Sequence, residues 1–174
     1  MNRQFRVIAS IVVLLGGAAA TGALAYHWFI GKEVAAVEQA PPLSFVDLNQ
    51  QPQALSQWRG KLVLVNFWAT WCTPSRKEIP MLVEVREQYL DRGFEILGPA
   101  MDEPAAAAKV AEVLKISYPV FAGSTDIIAA MDAFGDQLGA LPFSVLLAPD
   151  GRILMRKSGE LQRDELVALL EQHL

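Results

Sequence analysis

The chain has 174 residues, a formal net charge of −4 and a pI near 5.2, and 52% of its residues are hydrophobic. That length suits one compact domain, and with no Lys/Arg cluster in its folded part nothing attracts a phosphate backbone, so nucleic acid is not an expected partner. The two histidines, His27 and His173, lie at opposite ends and Cys72 is the one cysteine, so no ligand set at zinc or iron spacing arises, no metal or other cofactor is expected, and no internal disulfide can form.

Arg3 and Arg6 precede an uncharged run over residues 7–30, long enough at about 1.5 Å per residue to cross a bilayer core of about 30 Å. Such a segment keeps its positive charges in the cytoplasm. Residues 1–31 are therefore predicted to be a single-pass signal anchor in a bacterial inner membrane, with Tyr26, His27 and Trp28 near the interface and the remainder facing the periplasm. The alternative is secretion into the periplasm after cleavage near Ala25, because Ala23-Leu24-Ala25 has a small-x-small form; hydrophobicity continuing through Trp28, Phe29 and Ile30 favours the anchor. Residues 32–42, polar and then Pro-Pro, read as a linker, and 43–174 as the folded domain.

Within that domain residues 43–48 suggest a short strand, and 62–68 (LVLVNFW) a strand buried on both faces. From residue 73 to about 92, Ile79, Leu82, Val83, Tyr89 and Leu90 recur at three- and four-residue spacing, which predicts a helix, with Pro80 expected to kink it. A strand over 94–101 follows, then helices over 103–114 and 126–134. Two strands, 143–148 and 152–157, flank the turn residues Pro149-Asp150-Gly151, and an amphipathic helix covers 163–174. Pro99 falls inside a predicted interior strand, where it removes a ladder donor, so a bulge or shifted edge is expected there. The order of elements predicts an α/β fold with a mixed central β-sheet flanked by helices.

Cys72 stands directly after a buried strand and at the start of a helix. Unpaired backbone N–H groups and the helix dipole favour negative charge there, and the thiolate is the species that attacks disulfides. Trp68 and Trp71 are expected to wall the site with apolar surface. The competing reading is that Cys72 is an inert buried residue and the tryptophans are core.

The run Val65-Asn66-Phe67-Trp68-Ala69-Thr70-Trp71-Cys72-Thr73-Pro74-Ser75, continuing Arg76-Lys77-Glu78-Ile79-Pro80, resembles the active-site segment of the TlpA/ResA-like branch of the thioredoxin superfamily. Asp102, the segment Gly139-Ala140-Leu141-Pro142-Phe143-Ser144-Val145 and the Pro149-Asp150-Gly151 hairpin follow in that family's order, over about residues 40–174. The resemblance implies a thioredoxin fold and thiol-disulfide exchange with exported protein clients, often in support of cytochrome c or oxidase maturation. It implies that Cys72 is the attacking cysteine, exposed at the helix start, and that Pro142 is a cis-proline lying against it. Leu141 then pairs with an extended substrate segment, which Trp71, Thr73 and Pro74 help to bind. Glu78 matches an acidic residue that helps to move protons, against the alternative of a solvated helix carboxylate.

The family motif is Cys-x-x-Cys, and here Ser75 occupies the position of the resolving cysteine. A hydroxyl can hydrogen-bond to a thiolate but does not attack sulfur effectively, so a mixed disulfide on Cys72 has to wait for an external thiol. Three accounts stay open: a monothiol member, a degenerate member that binds without catalysis, and a Cys-to-Ser form of a dithiol reductase. Set against oxidoreductase function is a non-catalytic membrane-tethered binding module. A one-cysteine peroxidase is disfavoured because no Thr/Pro-x-x-x-Thr-x-x-Cys spacing precedes Cys72.

Overall fold

The computed structural model describes residues 38–174 with the exception of Gln137. The predicted membrane anchor and most of the linker lie outside the described residues. Among the described residues no helix is long and apolar enough to cross a membrane.

In chain order the elements are β1 (Ser44–Val46), β2 (Pro52–Ala54), a 3-10 turn (Leu55–Trp58), β3 (Leu62–Phe67) and α1 (Thr73–Tyr89), which runs into a second 3-10 turn (Leu90–Arg92). Then come β4 (Phe94–Met101), α2 (Pro104–Val113), β5 (Val120–Gly123), α3 (Thr125–Ala133), β6 (Phe143–Leu147), β7 (Ile153–Ser158) and α4 (Arg163–His173). β1 and β2 form a small antiparallel pair; the other five strands form a sheet in the order β5-β4-β3-β6-β7. β3, β4 and β5 run parallel, while β6 and β7 are antiparallel to their neighbours. This is the expected thioredoxin-like arrangement of a mixed sheet between helices.

Every residue of β3 is buried, because its alternating side chains feed two cores. Leu62 and Leu64 pack with Leu82 and Val85 of α1 and with Leu166 and Leu170 of α4. Val63, Val65 and Phe67 pack on the opposite face with Ile127 and Met131 of α3 and with Phe134. A third cluster joins Trp68 and Ile79 to Ala107 of α2. The turn after α1 ends at Gly93 with φ of 92°, a left-handed conformation that glycine adopts without strain and that returns the chain into β4.

Four features depart from the sequence reading, the first being the short strand β2, which exists by pairing with β1. β5 was not foreseen: four residues between Pro119 and Ser124 carry no period of their own, and they become a strand because β4 offers an edge to pair with. Pro99 produces neither a bulge nor a shifted edge. The β3/β4 pairing stops at Val65↔Leu97 and resumes at Trp68↔Ala100 in the same register, because the ring removes only an N–H while the Pro99 carbonyl still accepts from Trp68 N–H at 3.1 Å. Finally, the end of the predicted linker lies along the sheet: Ala40 N–H donates to Gly151 O and Ile153 N–H to Glu38 O, each at 2.9 Å.

Candidate active site

Beyond Phe67 the chain stays tied to β4 for one more residue, with Met101 N–H donating to Trp68 O at 2.9 Å. It then turns. Cys72 N–H donates to Ala69 O and Arg76 N–H to Cys72 O, both at 3.1 Å, so a four-residue turn closes on Cys72 and the helix opens from it. Cys72 is the N-cap residue of α1, extended at φ −86° and ψ 106°, with no side-chain capping bond; Pro74 sits in the first turn, where its missing N–H costs nothing.

The Cys72 thiol lies 3.5 Å from Leu141 O, and the Leu141–Pro142 peptide is cis, as the resemblance implied. Cys72 itself is only 7% exposed. The expectation of an exposed cysteine is corrected: the residue is buried and its sulfur is turned against the Leu141 carbonyl. Around it Trp71, Thr73 and Pro74 are exposed and Leu141 is half-buried. The two tryptophans separate. Trp71 is 64% exposed, whereas Trp68 is fully buried and its indole N–H donates to Gly98 O at 3.2 Å, so Trp68 is core and only Trp71 borders the site.

Farther along α1, Glu78 is not a solvated helix carboxylate. It is 2% exposed; Oε1 accepts from Asn66 Nδ2 at 2.7 Å and Oε2 from Leu161 N–H at 2.7 Å. Burial pushes its pKa up to about 7, opposed by the Leu161 N–H and by the Asn66 amide, with the Glu160 carboxylate adding to the rise. Asn66 Nδ2 also reaches Ser144 Oγ at 3.0 Å, so β3 and the segment before α4 bond the α1 carboxyl directly and β6 joins them through Asn66. The buried Tyr118 phenol is pushed above its usual range by burial and then by the charge of Glu78. Ser75 is fully buried, and its hydroxyl has no hydrogen-bond partner among the described residues. It therefore bonds neither to the thiol nor to Glu78.

Asn66 and Ser144 did not emerge as site residues from the sequence. The available signal was a single amide inside the apolar run LVLVNFW, because a polar side chain in a strand covered on both faces needs a buried partner. The partner's identity comes from the β3/β6 register, which sets Asn66 opposite Ser144. Among the described residues no three His, Cys, Asp or Glu side chains gather as a metal ion would require.

Comparison with known proteins places this geometry in context. The profile of the AhpC/TSA family matches residues 36–156. The thiol-disulfide oxidoreductase ResA of Geobacillus thermodenitrificans is 32% identical, covering 98% of this chain and 98% of its own length. The Bacillus subtilis protein of the same name is 28% identical over 91% of this chain and 88% of its own. Among solved structures, a thioredoxin-family thiol:disulfide interchange protein from Chlorobium tepidum superposes with a TM-score of 0.72 at 27% identity, covering 80% of this chain and 97% of that one.

Proposed function

The chain belongs to the AhpC/TSA family, and from that premise we propose that it is a thiol-disulfide oxidoreductase that exchanges disulfides with protein clients through Cys72 alone. The observation that carries this reading is the Cys72 sulfur at the start of α1, 3.5 Å from the carbonyl that precedes the cis-proline. A client segment lies extended along Leu141, with Trp71, Thr73 and Pro74 as the rim. The Cys72 thiolate attacks one sulfur of the client disulfide; a new S–S bond forms, the old one breaks, and the displaced client sulfur leaves as a thiolate that takes up a proton. Glu78, titrating near pH 7, is the group proposed to hold or release that proton. Ser75 cannot release the client, so a thiol from outside the chain attacks the mixed disulfide.

The proposed setting follows from the N-terminal sequence. Residues 1–31 hold the domain on the periplasmic side of the inner membrane, where the clients are exported proteins such as those of cytochrome c biogenesis. Alkaline extraction of membranes from cells making the full chain should leave it in the pellet; a processed, soluble periplasmic form would replace the anchor with the cleavage reading.

The exchange itself is tested with a synthetic peptide whose single cysteine is disulfide-linked to a small aromatic thiol, a leaving group that departs on attack. Intact mass should show one peptide on Cys72, stable until a small thiol is added, and none on Cys72→Ala. Without added thiol, Ser75→Cys should release reduced peptide and end with a disulfide between Cys72 and the introduced cysteine, while the unaltered chain stays at the adduct until a small thiol is supplied. Failure of the unaltered chain to form any adduct overturns the proposal. The 7% exposure of Cys72 supports a second reading, a binding module, in which Cys72→Ala retains peptide binding and no adduct forms.

A further inference from the structure

Resting on the proposed exchange at Cys72, the geometry points to Asp102 as a positioning residue that holds the Ala69–Cys72 turn in the posture from which the sulfur reacts. The turn leaves the sheet after Trp68, and its own closure is a single backbone bond, Cys72 N–H to Ala69 O at 3.1 Å. One residue beyond the end of β4, the half-buried Asp102 carboxylate reaches back and accepts the Thr70 N–H at 2.5 Å. A bond to an ionised acceptor is shorter and stronger than a neutral one. Thr70 is the first central residue of the turn, so its N–H would otherwise have no partner in either the sheet or the helix.

The carboxylate has other uses within reach and takes none of them. Asp102 stands one residue ahead of Glu103, the N-cap of α2, which has no side-chain capping bond, and among the described residues Asp102 forms no ion pair. Among the described residues its one side-chain bond is that to Thr70. The sulfur is thus set from two sides, by Asp102 acting on the turn and by Leu141 O acting on the thiol directly. Asp102 touches neither client nor reacting sulfur. It acts through Thr70.

Two chemically opposite changes remove the bond. Asp102→Ala deletes the acceptor, and Thr70→Pro deletes the donor while placing proline at the first central position of a turn, which proline favours. The readout is the saturable rate of mixed-disulfide formation between Cys72 and a peptide cysteine linked to an aromatic thiol, whose release is followed by absorbance. Each variant should form the adduct about tenfold more slowly at saturation with little change in half-saturation. The double variant should be no slower than either single one, and Asp102→Asn, which keeps an acceptor oxygen, should react within about twofold of the unaltered chain.

An Asp102→Ala or Thr70→Pro variant that reacts at the unaltered rate overturns the inference and leaves the proposed exchange standing. So does an additive double variant, or an Asp102→Asn that is as slow as Asp102→Ala. If Asp102→Ala does not fold, Thr70→Pro and Asp102→Asn decide the matter alone. Absence of adduct from the unaltered chain instead removes the proposed function, and this inference falls with it.

Discussion

The two ends of helix α1 each bury a carboxylate against the sheet, and they treat it in opposite ways. Near its C-terminal end, Arg86 Nε meets Glu95 Oε1 at 2.5 Å, Arg86 Nη2 lies 3.3 Å from Oε2, and Lys61 Nζ adds a contact at 3.5 Å. Near its N-terminal end, Glu78 receives only neutral donors, the Asn66 amide and the Leu161 N–H. Two cations lock the Glu95 charge in place as part of the scaffold. Glu78 has hydrogen bonds without a countercharge, so desolvation is left to raise its proton affinity into the neutral range. One helix therefore carries a fixed ion pair near one end and a protonatable group in the half that begins at Cys72.

The largest effect should come from breaking the fixed end. Arg86→Met leaves Glu95 with the half-exposed Lys61 as its one cation and the Ile96 N–H as a donor, and urea unfolding should show a loss of about 3 kcal/mol. At the other end the sign depends on pH. Glu78 binds its proton near pH 7 when folded and near 4.5 in its unperturbed state, so between those values the folded chain holds more protons than the unfolded one. Its contribution is full below about pH 4.5 and is lost as pH rises to 7, on the order of 3 kcal/mol in all. Stability curves of Glu78→Gln across that window should lack this decline; an unchanged slope would mean that Glu78 is not the titrating group.

Smaller changes probe what surrounds the carboxyl. Asn66→Ala removes the donor to both Glu78 and Ser144 and should cost about 2 kcal/mol in chemical unfolding. The same change should move the Glu78 titration, followed by carboxyl NMR, to higher pH, since the lost amide bond favoured the ionised form. The mildest change is Ser75→Ala. The Ser75 hydroxyl is buried without a partner, so deleting it should stabilise the fold by on the order of 1 kcal/mol and leave adduct formation on Cys72 unaltered. A loss of stability or of adduct would reveal a role for the hydroxyl that its surroundings do not suggest.

Much of the scaffold was legible because its signals are local. The apolar run that became β3, the periodic face of α1 and the Pro149-Asp150-Gly151 turn between β6 and β7 each announce an element through spacing or turn chemistry. β5 was illegible for the converse reason: its four residues have no local signature and exist as a strand through β4. The Pro99 gap shows the limit of a correct local rule. Proline did remove a donor, but whether the strand bulges or merely skips a bond was decided by the neighbouring Trp68 N–H, which still finds the Pro99 carbonyl.

By itself the sequence determined which atom can do the chemistry and where along the chain it stands. One sulfur follows a buried strand and opens a helix, for which covalent identity and local periodicity suffice; that Ser75 occupies the position of a second sulfur is what the family resemblance implies. The tertiary structure alone decided how buried Cys72 is and what each polar group of the site meets. The thiol is turned against Leu141 O, Glu78 is buried and bonded to Asn66 and Leu161, and Asp102 reaches across to the turn of Thr70. Those partners are separated by 12 to 83 residues, and desolvation and hydrogen bonding depend on distances in space that no local pattern encodes.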